Sequence, residues 1–373
     1  MPKYLSIANE IEEQILSHTL TAGAQLPTEK ELMQQFGVSR QTIRNAFSCL
    51  LKKNLIYTVK GSGTFIADYS RPALASKNIA VLLTKADEYI FPYKSAGINS
   101  VLTQHGYISN IFVSDNRVDL EQDTLHEILS SNYAGAIIEV TKAAIPRFGK
   151  IFAELRAKLP LILIDGYYRD LPDIPYVALD DHKGGYKATE YLIQHGHKNI
   201  FHVGKIEDLQ GILRYQGYAD ALTHYNLPFS EDHVFWMTDT LLSDMPDSLL
   251  DMLCEKILQC TAVFFYNDWV AEIVLGALVR RNIRIPNDLS VVSYDNSLLS
   301  MFRQITCIPH PLDNLGKVAA ENLLKLIENP NYDATYIFEP EIVERSSVRN
   351  LNTEQHDIQK EVFHEQFHAC SNI

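Results

Sequence analysis

The chain has 373 residues, 46% of them hydrophobic and 21% charged, with a formal net charge of −13. That composition is ordinary for folded globular material, excludes a low-complexity or disordered chain, and leaves room for two or three domains. No apolar run reaches the ~18–20 residues needed to span a bilayer. Acidity argues against nucleic acid over the chain as a whole. Residues 1–70, however, hold seven Lys or Arg against six Asp or Glu, so any contact with phosphate is confined to that segment. The start, "MPKYLSIANEIEEQI", is charged and periodic and lacks the apolar core of a secretory signal, which points to the cytoplasm. Cys49, Cys254, Cys260, Cys307 and Cys370 form no C-x-x-C pair and are odd in number, so they read as reduced thiols with neither a disulfide frame nor a metal site.

In chain order, the first predicted helix runs over Lys3–Ser17, with Tyr4, Ile7, Ala8, Ile11, Ile15 and Leu16 at the spacing of one buried stripe. "TAGAQLP" is a turn-rich connection. Thr28 opens a second helix, and Glu31 three residues later completes a capping box. Leu32, Met33 and Phe36 face inward, Gly37 ends the helix, and Ser39 caps the next. The short "GVS" connection is the turn of a helix-turn-helix. In the third helix Ile43, Ala46, Phe47, Leu50 and Leu51 make an apolar stripe, while Arg40, Gln41, Arg44 and Asn45 crowd the other face near its start. That polar face is either a solvated surface or the side of a helix that enters the major groove of DNA. "LIYTVK" and "TFIAD" flank "GSG" and make a hairpin, with Lys60 at the tip and Gly61 and Gly63 free to adopt positive φ.

Residues 71–77, within "DYSRPALASKN", read as a linker, and from Asn78 the pattern changes to alternating strand and helix. "NIAVLLT", "YISNIFVSD", "YAGAIIEV", "LPLILIDG", "KNIFHVGK", "TAVFFYND" and "LSVVSYDN" are short apolar runs suited to parallel strands, with helical stretches between them. The fold class is therefore α/β: an N-terminal winged helix-turn-helix, then a core of parallel sheets too long for one hydrophobic centre and so divided into two lobes. Ligands of open α/β sheets bind beyond the carboxyl ends of strands. Glu139, Asp165, Asn267, Asp268 and Asp295 stand at such ends, and carboxylates and amides suit the hydroxyls of a sugar. Asp268 reads better as a helix N-cap. Lys94, in the loop after the first strand, is placed to close over a ligand. Trp236 offers an aromatic face, unless it is simply core. There is no H-E-x-x-H, G-x-S-x-G, P-loop or G-x-G-x-x-G opening a helix after a strand, so neither an enzyme nor a cofactor is expected. The polar tail, 346–373, carries three His and is not read as a metal site.

"LPTEKELMQQFGVSRQTIRNAFSCLLKKNLIYTVKGSGTFIA" resembles the winged-helix DNA-binding domain of the GntR family of bacterial repressors, over roughly residues 3–67. The resemblance implies that Arg40, Thr42 and Arg44 face DNA, that Glu29 accepts from a cytosine amino group, that Lys60, Gly61 and Gly63 bring the wing to the minor groove, and that Lys3 meets a phosphate. Glu29 as a helix-dipole residue and Lys60 as a solvated tip are the plainer readings. "VALDDHKGGYKATEYLIQHGHKNIFHVG", "RYQGYADAL" and "VFFYNDWVAEIVLGALVRRNIRIPNDLSVVSYDN" resemble the LacI/GalR effector-binding core, itself similar to periplasmic sugar-binding proteins, over about 78–345. This implies a first lobe of about 78–178 with a return near 313–330, and a second of about 179–311 completed by "YIFEPEIVER". It also implies that Arg214 sits in the cleft between them, where its planar fork bridges adjacent hydroxyls.

The joined pair resembles the arabinose repressors of bacteria, which implies operator DNA, a homodimer and a sugar effector, L-arabinose, as partners. A sugar-binding transport component and an enzyme on the same α/β core are the alternatives. The first requires a secretory signal and the second a catalytic constellation.

Overall fold

The computed structural model describes residues 2–352, apart from 17–18, 22, 54, 60–61, 68–75, 86–88 and 147–148. The chain forms two compact units, residues 1–76 and the part from Lys77 onward.

The first unit carries α1 (Lys3–Leu16), α2 (Glu29–Phe36), α3 (Arg40–Lys52), β1 (Ile56–Val59) and β2 (Gly63–Ile66). Ile7, Ile11, Ile15, Leu32, Ile43, Ala46, Leu50 and Ile66 fill one core. The starts of α2 and α3 are written in their caps. The Thr28 hydroxyl accepts from Glu31 N while Glu31 Oε2 accepts from Thr28 N at 2.8 Å, and the Ser39 hydroxyl accepts from Thr42 N. Gly37 ends α2 in the left-handed conformation, φ 60°. β1 and β2 are antiparallel, with Ile56 opposite Ile66 and Val59 opposite Gly63. Leu51 departs from the stripe expected of α3: it is 41% exposed. The helix turns 100° per residue, and the buried face is already covered by Ile43, Ala46, Phe47 and Leu50.

The second unit holds two sheets. The first is β13 (Tyr336–Phe338), β7 (Tyr176–Leu179), β6 (Leu161–Ile164), β5 (Gly135–Glu139), β3 (Asn78–Leu83) and β4 (Ile108–Val113), in that order, and every neighbouring pair is parallel. The second is β12 (Thr306–Pro309), β11 (Ser290–Asp295), β10 (Ala262–Phe265), β8 (Ile200–Lys205) and β9 (Val234–Met237), also all parallel. A parallel sheet must be covered on both faces, and alternate side chains show it. Ile79 and Val81 pack with α4 (Phe91–Gln104) and α13 (Leu312–Glu328), whereas Ala80 and Leu82 pack with α5 (Val118–Ser130) and α6 (Lys150–Lys158). In the second lobe Val263 and Phe265 face α10 (Asp247–Ile257) and α11 (Asp268–Arg280), and Phe264 faces α7 (Asp181–Gln194) and α8 (Leu209–His224). The short α9 (Asp239–Ser243) and α12 (Leu298–Arg303) follow β9 and β11.

The chain crosses between lobes after β7 and again after β12. The expectation that "YIFEPEIVER" completes the second lobe needs correction. Its first half is β13, which extends the first sheet by pairing with β7. Only beyond it does Val343 exchange backbone hydrogen bonds with Cys307 of the second sheet, at 2.8 and 3.1 Å. The crossing therefore falls inside the segment, around Glu339–Ile342.

α4 and α13 touch through glycine. A Cβ on Gly97 would lie 2.1 Å from the carbonyl oxygen of Asp313, so only hydrogen fits. Gly97→Ala should force the two helices apart and cost about 2 kcal/mol or more, as overpacking of a tight contact does. Urea denaturation of the full chain measures this, and an unchanged midpoint would show that α13 yields freely.

Candidate functional site

In the first unit, Arg40 and Arg44 stand one turn apart on α3, both exposed. Both are held by Glu29, the first residue of α2: Arg40 Nε donates to one carboxylate oxygen at 2.5 Å and Arg44 Nε to the other at 3.1 Å. Those hydrogen bonds, Arg40's foremost, hold the Glu29 carboxyl below its usual value. The guanidinium Nη groups project from a fixed pair of stems, a geometry suited to phosphate or to a guanine edge. Thr42, two residues on and so about 200° round the helix from Arg40, has its hydroxyl 2.9 Å from that of Ser39. Gln41 Nε2 donates to Asn45 Oδ1 at 3.0 Å. Lys3 is exposed at the start of α1. Gly63 opens β2 at φ +125°, and a Cβ there would meet Gln25 Nε2 at 2.4 Å. Lys60 and Gly61 lie outside the described residues.

In the second unit, the carboxyl ends of the two sheets face each other across a cavity of about 610 Å³. Glu139 at the end of β5, Asp165 just past β6, Asn267 just past β10 and Asp295 at the end of β11 all line it, as does Arg214 of α8. Two expectations for this cleft fail. Lys94 is not in a loop that closes over the site. It belongs to α4, is fully buried, and its ammonium is clamped between Glu139 and Asp165, the latter at 2.6 Å. Trp236 does not reach the cavity. It sits on β9, the edge strand, with its ring centroid 5.0 Å from that of Tyr215 and edge-on to His202. Aromatic surface in the cleft comes instead from Trp269, 48% exposed, with Phe91, Tyr89 and Tyr266. A third correction concerns the cap of α11: Asn267, not Asp268, accepts from Val270 N, at 3.0 Å. Asp268 is buried and receives the N–H and hydroxyl of Ser297 at 2.8 and 2.7 Å. Burial and the neighbouring Asp295 push its carboxyl up to about 6.

Charge organises the cleft. Burial alone would discharge Lys94, but Asp165 and Glu139 outweigh it and hold the ammonium above its usual range. Burial pushes the Glu139 carboxyl up, against the pull of Lys94. Asp165 goes the other way: Lys94 and His310 overcome its burial and keep it ionised. His310, which follows β12, reaches from the second lobe to Asp165 of the first at 2.8 Å. Its Nδ1 accepts from Leu312 N, so Nε2 bears the hydrogen that it donates. Arg214 donates through Nε to Asp181 at 2.8 Å and through Nη1 to the carbonyl of Tyr266 at 2.6 Å, with its guanidinium 3.5 Å from the Tyr294 ring centroid.

Further out, Lys142 of the first lobe pairs with Glu207 of the second at 2.6 Å, and Asn116 Nδ2 donates to Asp239 at 2.8 Å. Lys205 bridges Asp208 and Asp239 at 2.7 and 2.6 Å. Sequence reasoning missed Tyr89, His310 and this outer group. His310 follows "TCIP", a strand too short to stand out by composition; of the outer group, Asn116, Lys142, Glu207 and Asp208 sit on connections with no periodicity, while Lys205 ends β8 and Asp239 opens the short α9.

Among known families, the one described as bacterial regulatory proteins, gntR family, matches residues 3–66, and the periplasmic binding protein-like domain matches residues 189–348. An arabinose metabolism transcriptional repressor of Halalkalibacterium halodurans is 32% identical over 370 residues, covering 95% of this chain and 98% of its own. One of the same description from Geobacillus stearothermophilus is 30% identical, over 94% of this chain and 99% of its own. The chain belongs to this family of transcriptional repressors. The crystal structure of the transcription regulator CcpA of Lactococcus lactis superposes with a TM-score of 0.64 at 25% identity, over 74% of this chain and all of that one. The chain therefore joins a GntR-type DNA-binding unit to a LacI-type two-lobed core. Among the described residues no helix is long and apolar enough to cross a membrane.

Lys94 is the keystone of the cleft floor, and its removal leaves two buried carboxylates facing each other. Lys94→Met should destabilise the protein by about 3–5 kcal/mol near neutral pH. The loss should shrink on acidification. A buried carboxyl whose pKa is raised in the folded state contributes stability when protonated and loses it as pH rises through that pKa. Denaturation midpoints of parent and variant across pH 4–8 measure this, and a pH-independent difference would assign the cost to packing.

Proposed function

We propose that the chain represses transcription by holding operator DNA through its winged helix and releases it when L-arabinose occupies the cleft. The observation that carries the reading is the cleft itself: both lobes contribute to one cavity in which Glu139, Asp165, Asn267 and Asp295 meet Arg214 beside the open face of Trp269. Convergent acceptors and donors next to an aromatic ring suit the hydroxyls and C–H face of a neutral sugar. The choice of sugar rests on the relatives that match end to end, which are repressors of arabinose metabolism. On this reading the chain has no catalytic activity of its own and works in the cytoplasm, where its DNA is.

Arg40, Thr42 and Arg44 read base edges from the major groove. Glu29 spends both oxygens on the two arginines and so aligns them, while remaining within reach of a cytosine amino group. Gly63, with Lys60 and Gly61, brings the wing to the minor groove, and Lys3 anchors a phosphate. One winged helix reads only a few base pairs, so two copies act on an approximately palindromic site. Leu298, Met301 and Phe302 of α12, the last 84% exposed, support the core as the surface that joins them. A sugar held by both lobes favours one closure angle only through its differential affinity for that state, and closure alters the spacing of the paired winged helices.

Two outcomes follow. Arg44→Ala should cost about 1–3 kcal/mol in binding to a duplex selected by the parent from a random pool. Fluorescence anisotropy at several salt concentrations reads this, and parental affinity throughout would remove Arg44 from the interface. Saturating L-arabinose should weaken operator binding by the parent at least tenfold, whereas Asp295→Ala should bind the operator normally and ignore the sugar. Release by a different pentose alone would keep the mechanism and change the ligand; unchanged or tighter binding by the parent would sink it.

A further inference from the structure

Six residues that line the cleft, Tyr89, Asp115, Asn116, Lys142, Asp165 and Asp295, hold backbone conformations that side chains rarely adopt, and two of them bond to each other. Tyr89, which precedes α4, has φ +59°, and Asp295, the last residue of β11, has φ +93°. Such strain persists only where the surrounding structure imposes it, and it gathers at functional positions. The two meet across the lobes: Tyr89 Oη donates to Asp295 Oδ2 at 2.6 Å. The Tyr89 ring leans on Trp269, with centroids 6.4 Å apart and planes tilted 58°. All three residues line the same cavity. Burial, reinforced by the Asp295 carboxylate, holds the phenol well above its usual value, so Tyr89 stays a donor at any working pH.

A phenol hydroxyl offers a carboxylate what a sugar hydroxyl offers: one O–H donor aimed at one oxygen. Here that donor is delivered from the first lobe onto a carboxylate of the second, at the wall and against the indole that the proposed sugar would use. We propose that Tyr89 is an internal competitor for the effector: its hydroxyl occupies, on Asp295, the place of a sugar hydroxyl, and the sugar must displace it to bind. This rests on the reading that a neutral sugar binds through Asp295, and it adds what sets the threshold. Displacement means that the binding-competent form is a fraction of the whole, and apparent affinity falls by that fraction. A polyol succeeds because it replaces one hydrogen bond with several. A ligand with a lone hydroxyl gains nothing in the exchange, so the same contact selects for polyhydroxylated ligands.

The test uses the full chain and the variants Tyr89→Phe, Asp295→Asn and both together. Phe keeps the ring against Trp269 and removes only the donor. Thermal denaturation without sugar, run as a double-mutant cycle, should show that the two changes are not additive. Titration calorimetry should then show that Tyr89→Phe binds L-arabinose about tenfold more tightly than the parent, and operator release should need about tenfold less sugar. Additive effects in the sugar-free cycle would overturn the proposal. So would weaker binding of L-arabinose by Tyr89→Phe, because Tyr89 would then be a contact of the sugar and not its rival. A parent that takes up no L-arabinose would defeat the choice of effector, a separate failure, and the sugar-free cycle would still decide the contact.

Discussion

The core depends on one buried cation. Lys94 has no exposure to solvent, and its ammonium is shared by Glu139 from the end of β5 and Asp165 from just past β6. A charge so placed is tolerable only when opposite charge and hydrogen bonds replace the lost water. The arrangement therefore fixes where α4 sits on the first sheet, and the glycine contact between α4 and α13 holds it there. Asp165 then passes the constraint on, because its second oxygen receives His310 from the other lobe and its carbonyl receives Gln210 of α8. The floor of the cleft and the relation between the lobes are thus set by one connected group of charges. No apolar substitute for Lys94 could do both.

The outer contacts differ in kind. Lys142 with Glu207 and Asn116 with Asp239 also join the lobes, but they lie nearer solvent, and pairs of that sort are worth little and are screened by salt. If the lobes close on an effector, as proposed, the protein needs this gradient. Contacts near the crossings must persist through the motion, and contacts at the mouth must break cheaply. The positions agree: His310 lies two residues before α13, where the chain changes lobe, while Lys142 and Glu207 lie on connections between strands and helices and Asp239 opens the short α9.

Much of this was legible in the sequence, and the parts that were not share a cause. Local signals carried the first unit, where Thr28, Glu31, Gly37 and Ser39 mark helix ends by their own hydrogen bonds and conformations. β3, β5, β6, β8, β10 and β11 were legible as apolar runs because both of their faces are buried, and the edge strand β4 was legible by its length. β7, β9, β12 and β13 were not read as members of their sheets. All four are only three or four residues long, and β9, β12 and β13 lie at sheet edges. The same blindness misplaced Trp236, since a tryptophan on an edge strand is drawn to its own aromatic neighbours, Tyr215 and His202. Strand-end carboxylates were found by position, yet position could not show which of them a lysine already occupied. Lys94 read as a loop residue because a lysine in the interior is improbable until two carboxylates from separate strands are seen to meet it.

Glu29 shows how far a side chain's role depends on its neighbours. In the sequence it is the first residue of a capped helix, and a carboxylate there is sufficiently explained by the helix dipole. In the fold it receives Arg40 and Arg44, eleven and fifteen residues away, on separate oxygens. Long arginines on an exposed helix lose rotamer freedom when they bind, and that entropy is charged against affinity. A carboxylate that engages both Nε atoms fixes the stems beforehand and leaves the Nη atoms outward. It also places a negative charge where a polyanion would approach, which weakens non-specific attraction to phosphate while leaving directed hydrogen bonds available. On the proposed reading, a chain that is acidic everywhere else and nearly neutral here gains discrimination from that arrangement, because DNA would be held where its base edges match the arginine pair and little elsewhere.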